Sequence, residues 1–386
     1  MRRSIYPVLG LALLAITHCA RAAVAAEVGI SSDRILIGAY LPLQGGLAAG
    51  ASQLRDGADA YFKHVNDQGG IHGRKIEWLV ENDSYNPQQT MAIAKKLVDR
   101  DGVFALVSTL GTATNLAVLP YLESRKVPLL NPVGVHALLN APKAPNVFGL
   151  LPVGQVLGRS LAEYALTGLS AKRIAIFYQN DQFGKDPRDG AFEYLQKQGT
   201  KLVAEASYVP SDVDLSVQVN ALKEANPDVV ILACITKQGA LFVKEAERLG
   251  WKPHFVALNT MGDPIAYELA GNALNGLVIN VFTAVETMNE PAVVKANEIL
   301  ARYRPETKPG YWSYLGMAGA IVFTEAARRV GPELTRANLI AALEGLGDFK
   351  PGVVPPISWS KANHGGTEKI GYAQWQAGKL EIIQGW

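Results

Sequence analysis

Ser108, Thr109 and Thr112 cluster around Leu110 and Gly111 at the end of the apolar run Val103 to Val107. Hydroxyls at such a place could attack a substrate, hold a phosphate or help hold a carboxylate. Ser108 lacks the Gly-x-Ser-x-Gly elbow and any recognisable triad partner, which argues against a hydrolase. No phosphate-loop lysine and no Gly-x-Gly-x-x-Gly accompanies the turn, which argues against a nucleotide. A strand running directly into a helix still leaves unpaired backbone N–H groups at the strand's carboxyl end, and the helix dipole adds to them. A small carboxylate suits those donors. On spacing alone, a plain βα turn that binds nothing remains an equal reading.

The other chemically capable residues are dispersed. His18, His64, His72, His136, His254 and His364 make no metal-ligand spacing with Cys, Asp or Glu, so no metal and no cofactor is expected. His136 stands near a strand end, as a ligand contact or as an ordinary surface histidine. Asp83 and Asp181 follow strands, where isolated carboxylates more often cap turns than move protons. Asp263 precedes Pro264 and reads as a helix N-cap. Lys237 could meet a second acid on a ligand or simply be solvated. The Tyr and Trp residues of 311–314 read as helix packing rather than a stacking platform. No enzyme is expected.

Positioning that turn requires alternating strands and helices. Strands are expected at Ile35–Leu41, Lys75–Glu81, Val103–Val107 and Lys126–Leu130, with helices starting near 52, at Pro87 after an Asn86 cap, and at Thr112 after a cap at Gly111 or Thr112. Pro120 should kink or split the third of these helices. After a proline-rich stretch at 141–152 the alternation restarts, with strands at 173–178, 201–208, 228–234 and 254–258. Parallel sheets in βαβ units follow, in two similar lobes. Helices at 291–304, 311–330 and 335–343, then a hairpin around Ala377-Gly378, break the rhythm. They are best used to complete lobes already begun: 27–150 plus 283–351, and 151–282 plus 352–386.

Arg2 and Arg3, an apolar run from Ile5 to Ile16 and small residues through Ala26 read as a secretory signal peptide over residues 1–26, cleaved before Glu27. The run is short for a membrane span. His18 before Cys19 argues against lipidation. Removing Arg2, Arg3 and Arg21 takes the basic count from 37 to 34 against 35 acids, a charge of −1. Such a chain has no electrostatic footprint for nucleic acid. Cys234 alone remains, so no intramolecular disulfide is possible.

The chain resembles the type I periplasmic solute-binding proteins of the branched-chain amino acid ABC transporter group. The resemblance rests on Leu41-Pro42-Leu43, on Asn66-Asp67-Gln68-Gly69-Gly70-Ile71-His72-Gly73-Arg74, and on Asn82-Asp83-Ser84-Tyr85-Asn86-Pro87. It rests further on Gly111-Thr112-Ala113-Thr114-Asn115, Lys126-Val127-Pro128 and Asn180-Asp181-Gln182-Phe183-Gly184. It implies an α/β protein of two Rossmann-like lobes joined by three crossover segments, located in the periplasm. It also implies a ligand bound between the lobes, closure around it, and delivery to permease subunits in the inner membrane. By resemblance, first-lobe contacts fall in Gln44 to Leu47, at Thr109, Leu110, Gly111 and Thr112, and at Val133, Gly134 and Val135. Second-lobe contacts fall at Phe183, Thr236, Asn259, Thr260 and Met261.

Two departures bear on the ligand. Relatives often place a Ser or Thr after the fourth strand for the ligand carboxylate, where this chain has Val133-Gly134-Val135. Amino-acid binders also supply a second-lobe carboxylate for the ammonium, and Asn259-Thr260-Met261 has none. The expected ligand is therefore an aromatic or branched aliphatic acid without a free α-ammonium. A neutral branched-chain amino acid is the alternative, and a ligand-sensing subunit of a signalling system is the alternative role.

Overall fold

The computed structural model describes residues 27–141 and 143–386. The leader read in residues 1–26 lies outside the described residues. Near-continuous apolar runs make the inner parallel strands, which are buried on both faces, while the edge strands at 75–82 and 202–208 are only partly buried. In chain order the first half runs β1 (Arg34–Leu41), α1 (Ala48–Asp67), β2 (Lys75–Asn82), α2 (Pro87–Lys95), β3 (Leu106–Val107), α3 (Thr112–Ser124), β4 (Leu129–Leu130), α4 (Ala137–Asn140) and β5 (Val147–Phe148). These five strands form one parallel sheet in the order β2-β1-β3-β4-β5. Asn86 caps α2 by accepting from the Gln88 and Gln89 N–H groups, with Pro87 first in the helix.

The second series runs α5 (Gly154–Glu163), β6 (Ile174–Gln179), α6 (Gln182–Lys197), β7 (Leu202–Tyr208), α7 (Ser216–Glu224), β8 (Val229–Ala233), α8 (Thr236–Arg248), β9 (His254–Ala257), α9 (Pro264–Ala270) and β10 (Val278–Val281). Helices α10 (Pro291–Tyr303), α11 (Tyr311–Val330) and α12 (Arg336–Glu344) follow, then β11 (Gly371–Gln376) and β12 (Lys379–Gln384). The second sheet has the order β12-β11-β10-β9-β8-β6-β7. It is mixed, because β11 pairs antiparallel with both β10 and β12. Strand β10 was not anticipated from the sequence.

The chain passes between the sheets three times: after β5, after β10, and between α12 and β11. The crossing segments pair, with Ala284 N–H on the Val353 carbonyl at 2.8 Å and Gly149 N–H on the His364 carbonyl at 3.0 Å. Helix α11 returns to the first sheet's side and packs along α1. The contact is close: a Cβ on Gly316 would lie 1.9 Å from the Leu54 carbonyl oxygen, and one on Gly57 1.9 Å from that of Ser313.

Pro120 does not split α3, which runs unbroken from Thr112 to Ser124. Pro120 sits on its exposed face, where water can serve the carbonyl that loses its partner. No described helix is long and apolar enough to cross a membrane.

Candidate ligand-binding cleft

The turns after β3 and β4 are fastened to each other. Gly111 N–H donates to the Val133 carbonyl and Val133 N–H to the Thr109 carbonyl, both at 2.8 Å. Val135 N–H donates to Thr112 Oγ1 at 3.2 Å. Gly111 caps α3 at φ +128°, and a Cβ there would lie 2.2 Å from Thr114 Oγ1, so only glycine fits. Behind the turns, Ser108 and Asn131 both hold positive φ and bind α11: Asn131 Nδ2 donates to Ser108 Oγ at 3.1 Å and to the Leu315 carbonyl at 3.0 Å. Ser108 is therefore a buried structural group.

The front of the two turns is different. Among the described residues, the N–H groups of Thr112 and Gly134 have no acceptor, and the Thr112 hydroxyl accepts from Val135 without donating. These three donors belong to residues that line one cavity. Its lining includes Leu47, Leu110, Gly111, Thr112, Val133, Gly134 and Val135, and opposite them Gln179, Phe183, Ile235 and Thr260. Tyr85, Leu151, Tyr311 and Trp312 complete it, and the space they enclose is small, about 30 Å³. No charged side chain lines it.

The opposite wall satisfies itself. Tyr85 OH donates across the cleft to Asp181 Oδ2 at 2.8 Å, and burial together with the Asp181 charge pushes its phenol well above the usual range, so it stays a donor. Gln179 Nε2 donates to the same oxygen at 2.7 Å, Tyr208 OH to Gln179 Oε1 at 3.0 Å, and Ile235 N–H to Tyr208 OH at 2.9 Å. Asp181 also caps α6 through the Phe183 N–H at 2.9 Å. Thr236 Oγ1 donates to the Thr260 carbonyl at 2.8 Å and accepts from Trp312 Nε1 at 3.3 Å. Thr260 Oγ1 donates to the Cys234 carbonyl at 2.7 Å.

Of the thirteen residues singled out from the sequence, Leu110, Gly111, Thr112, Val133, Gly134, Val135, Phe183 and Thr260 line this cavity. Thr236 lines a neighbouring one. Four lie elsewhere. Gln44 is exposed. Thr109 is turned inward, its hydroxyl 2.7 Å from Asn115 Oδ1. Asn259 is buried and held by its N–H on Asn280 Oδ1 at 3.1 Å, and Met261 is fully buried under α8 beside Gly239. His136 caps α4 instead, its Nδ1 accepting from Leu138 N–H at 3.1 Å. Asp83 caps its turn by accepting from Tyr85 N–H at 3.0 Å.

Asp263 is the N-cap of α9, accepting from Ile265 N–H at 3.0 Å. Its second oxygen accepts from Trp312 N–H at 3.4 Å. The Gln53 amide nitrogen, in the orientation that suits its surroundings, reaches both oxygens at 2.9 and 3.2 Å. Asp263 is thus engaged with α1 and α11, and does not line the cavity.

Tyr85, Gln179, Ile235, Tyr311 and Trp312 were missed. Tyr311 and Trp312 carry the clearest correction, since they wall the cavity as well as packing α11. Helix α11 is buried on nearly every side, so its sequence has no polar face to reveal which end meets the cleft.

The family model for periplasmic binding proteins matches residues 34–379. A "Leu/Ile/Val-binding protein homolog 3" from Brucella melitensis is 24% identical over 364 residues, 93% of this chain and 96% of the relative. A fatty acid ABC transporter substrate-binding protein from Thermomonospora curvata superposes with a TM-score of 0.86 at 22% identity, covering 93% of each chain. A branched-chain amino acid ABC transporter protein from Thermus thermophilus with bound valine superposes with a TM-score of 0.84 at 20% identity, covering 92% of this chain and 97% of the other. These relatives are named as binding proteins rather than enzymes. With two sheets, three crossings and a cavity between facing turns, the chain belongs to the periplasmic binding protein family.

Proposed function

We propose that the protein is the periplasmic ligand-capture subunit of an ABC importer, and that it takes a small carboxylate without an α-ammonium. Its body is an aromatic ring or a branched alkyl group, held between a first lobe (27–150 plus 283–351) and a second (151–282 plus 352–386) and delivered to membrane permease subunits. The observation that carries the ligand class is the asymmetry of the cavity: three free donors at Thr112 and Gly134 on one side, and no carboxylate lining the other. An ammonium enclosed there would meet no carboxylate in the wall, because Asp181 is already engaged by Tyr85 and Gln179, and an ammonium left unpaired costs several kcal/mol. Phe183, Tyr311 and Trp312 offer apolar faces to a ring or alkyl group.

The names of the Leu/Ile/Val-binding relatives favour a second reading, a neutral branched-chain amino acid. A thermal-shift panel of benzoates, aryl-alkanoates, short branched acids and amino acids separates the two. Stabilisation by amine-free acids is expected. Strong stabilisation by leucine or valine, with none by any amine-free acid, would overturn the first reading.

A further inference from the structure

A second cavity, of about 260 Å³, adjoins the first and shares Leu47, Ile235 and Trp312 with it. Gly45, Gly46, Ala48, Ala49 and Gly50 form one wall, and Thr236, Lys237, Ile265 and Leu269 the other. The shared residues give the junction no free polar side chain, because the Trp312 indole N–H is already spent on Thr236. An apolar body could therefore extend from one cavity into the other without stranding a hydrogen-bonding group.

The two cavities differ in charge. Lys237 is the single charged residue in the lining of either. It is half-buried, and among the described residues no Asp or Glu lies within ion-pair distance of it. Helices α1 and α8, which begin on the two walls, have no acid in their first turns and no side-chain cap. Among the described residues, no acid at these helix starts or within ion-pair distance competes for the ammonium.

We infer that the cleft is built for a two-ended acid, with one carboxylate on the Thr112 and Gly134 donors and a second anionic group reaching Lys237 past Trp312. The chemical class is an aryl or alkyl dicarboxylate. This rests on the capture of a carboxylate in the inner cavity proposed above, and adds a second point of recognition to it. Gly46, in one wall of the outer cavity, sits tightly against the second sheet's side: a Cβ there would meet the Pro210 carbonyl at 2.6 Å.

Isothermal titration of the mature protein with two matched pairs, benzoate with terephthalate and hexanoate with adipate, tests the inference. In at least one pair the diacid should bind about fivefold more tightly or better, the scale of a partly exposed ion pair. Lys237→Met should abolish that preference while leaving the monoacid's affinity unchanged, and Lys237→Arg should retain it. Raising the salt concentration should narrow the gap in the wild type but not in Lys237→Met. If monoacids bind and diacids bind no better, or if Lys237→Met weakens both members of a pair equally, the lysine is merely solvated and the inference fails alone. If no member of either pair binds while leucine or valine does, the carboxylate reading fails and takes the inference with it.

Discussion

Thr112 has two roles that a single substitution can separate. Its hydroxyl oxygen fixes the turn after β4 through Val135 N–H, and the hydroxyl, in a residue that lines the cavity, still has its hydrogen to donate. Thr112→Ala removes both and leaves a buried N–H unpaired. Losses of about 0.5–2 kcal/mol are expected in both stability and ligand affinity, read by thermal melts and titration, and more in affinity if the hydroxyl meets a carboxylate. Thr112→Ser should recover most of each. Unchanged affinity together with unchanged stability would place the ligand at another turn. Asp263 gives a pH signature. Burial pushes its carboxyl up from 3.8 to about 7, outweighing the N–H groups of Ile265 and Trp312 that favour the charged form. In the unfolded chain it ionises near its ordinary value, so between about pH 4 and 7 the folded state holds the extra proton. Its contribution to stability is full below that window and declines as pH rises through it. The melting temperature of the wild type minus that of Asp263→Asn should therefore fall from pH 4 to pH 7 and level off above. A difference that stays flat across the window would contradict the burial argument.

At the scale of elements, the seam between α1 and α11 is the most exacting contact. Gly316→Ala must push the helices apart or bend one of them, because the added carbon would meet the Leu54 carbonyl oxygen at 1.9 Å. Overpacking of this kind costs about 1–3 kcal/mol. Denaturant unfolding should show that loss, and since α11 also carries Trp312, ligand affinity should fall with it. An unaltered midpoint would mean that the seam yields more easily than its geometry indicates. Local sequence signals placed most elements well. Asn86-Pro87 started α2, Asp263-Pro264 started α9, and Ala377-Gly378 turned the terminal hairpin. These are short-range devices, in which a cap or turn is complete within a few residues. What stayed hidden depends on distant partners. Strand β10 is four residues long and gains its identity from β9 on one side and β11 on the other. Part of the wall was missed for the same reason: Gln179 and Tyr85 are ninety-four residues apart and meet only because two lobes face each other. Phe183 was reached only because Asn180-Asp181-Gln182-Phe183-Gly184 resembles a known pattern.

At the scale of the whole molecule, the lobes are connected through hydrogen bonds that a ligand would have to part on entering: Tyr85 with Asp181 and Trp312 with Thr236. Binding is expected to restore them around the ligand, so small-angle scattering should report a smaller radius of gyration in the bound protein than in the free one. An identical radius in both states would mean that the lobes do not move. The position of Trp312 has a further consequence. It is one of six tryptophans in the chain, is 3% exposed, and donates its indole N–H across the lobe boundary. Parting the lobes would give that indole to water, and closing them would take it back. The protein thus carries its own optical gauge, with an emission band that moves toward shorter wavelength as the cleft fills and needs no attached dye to read it.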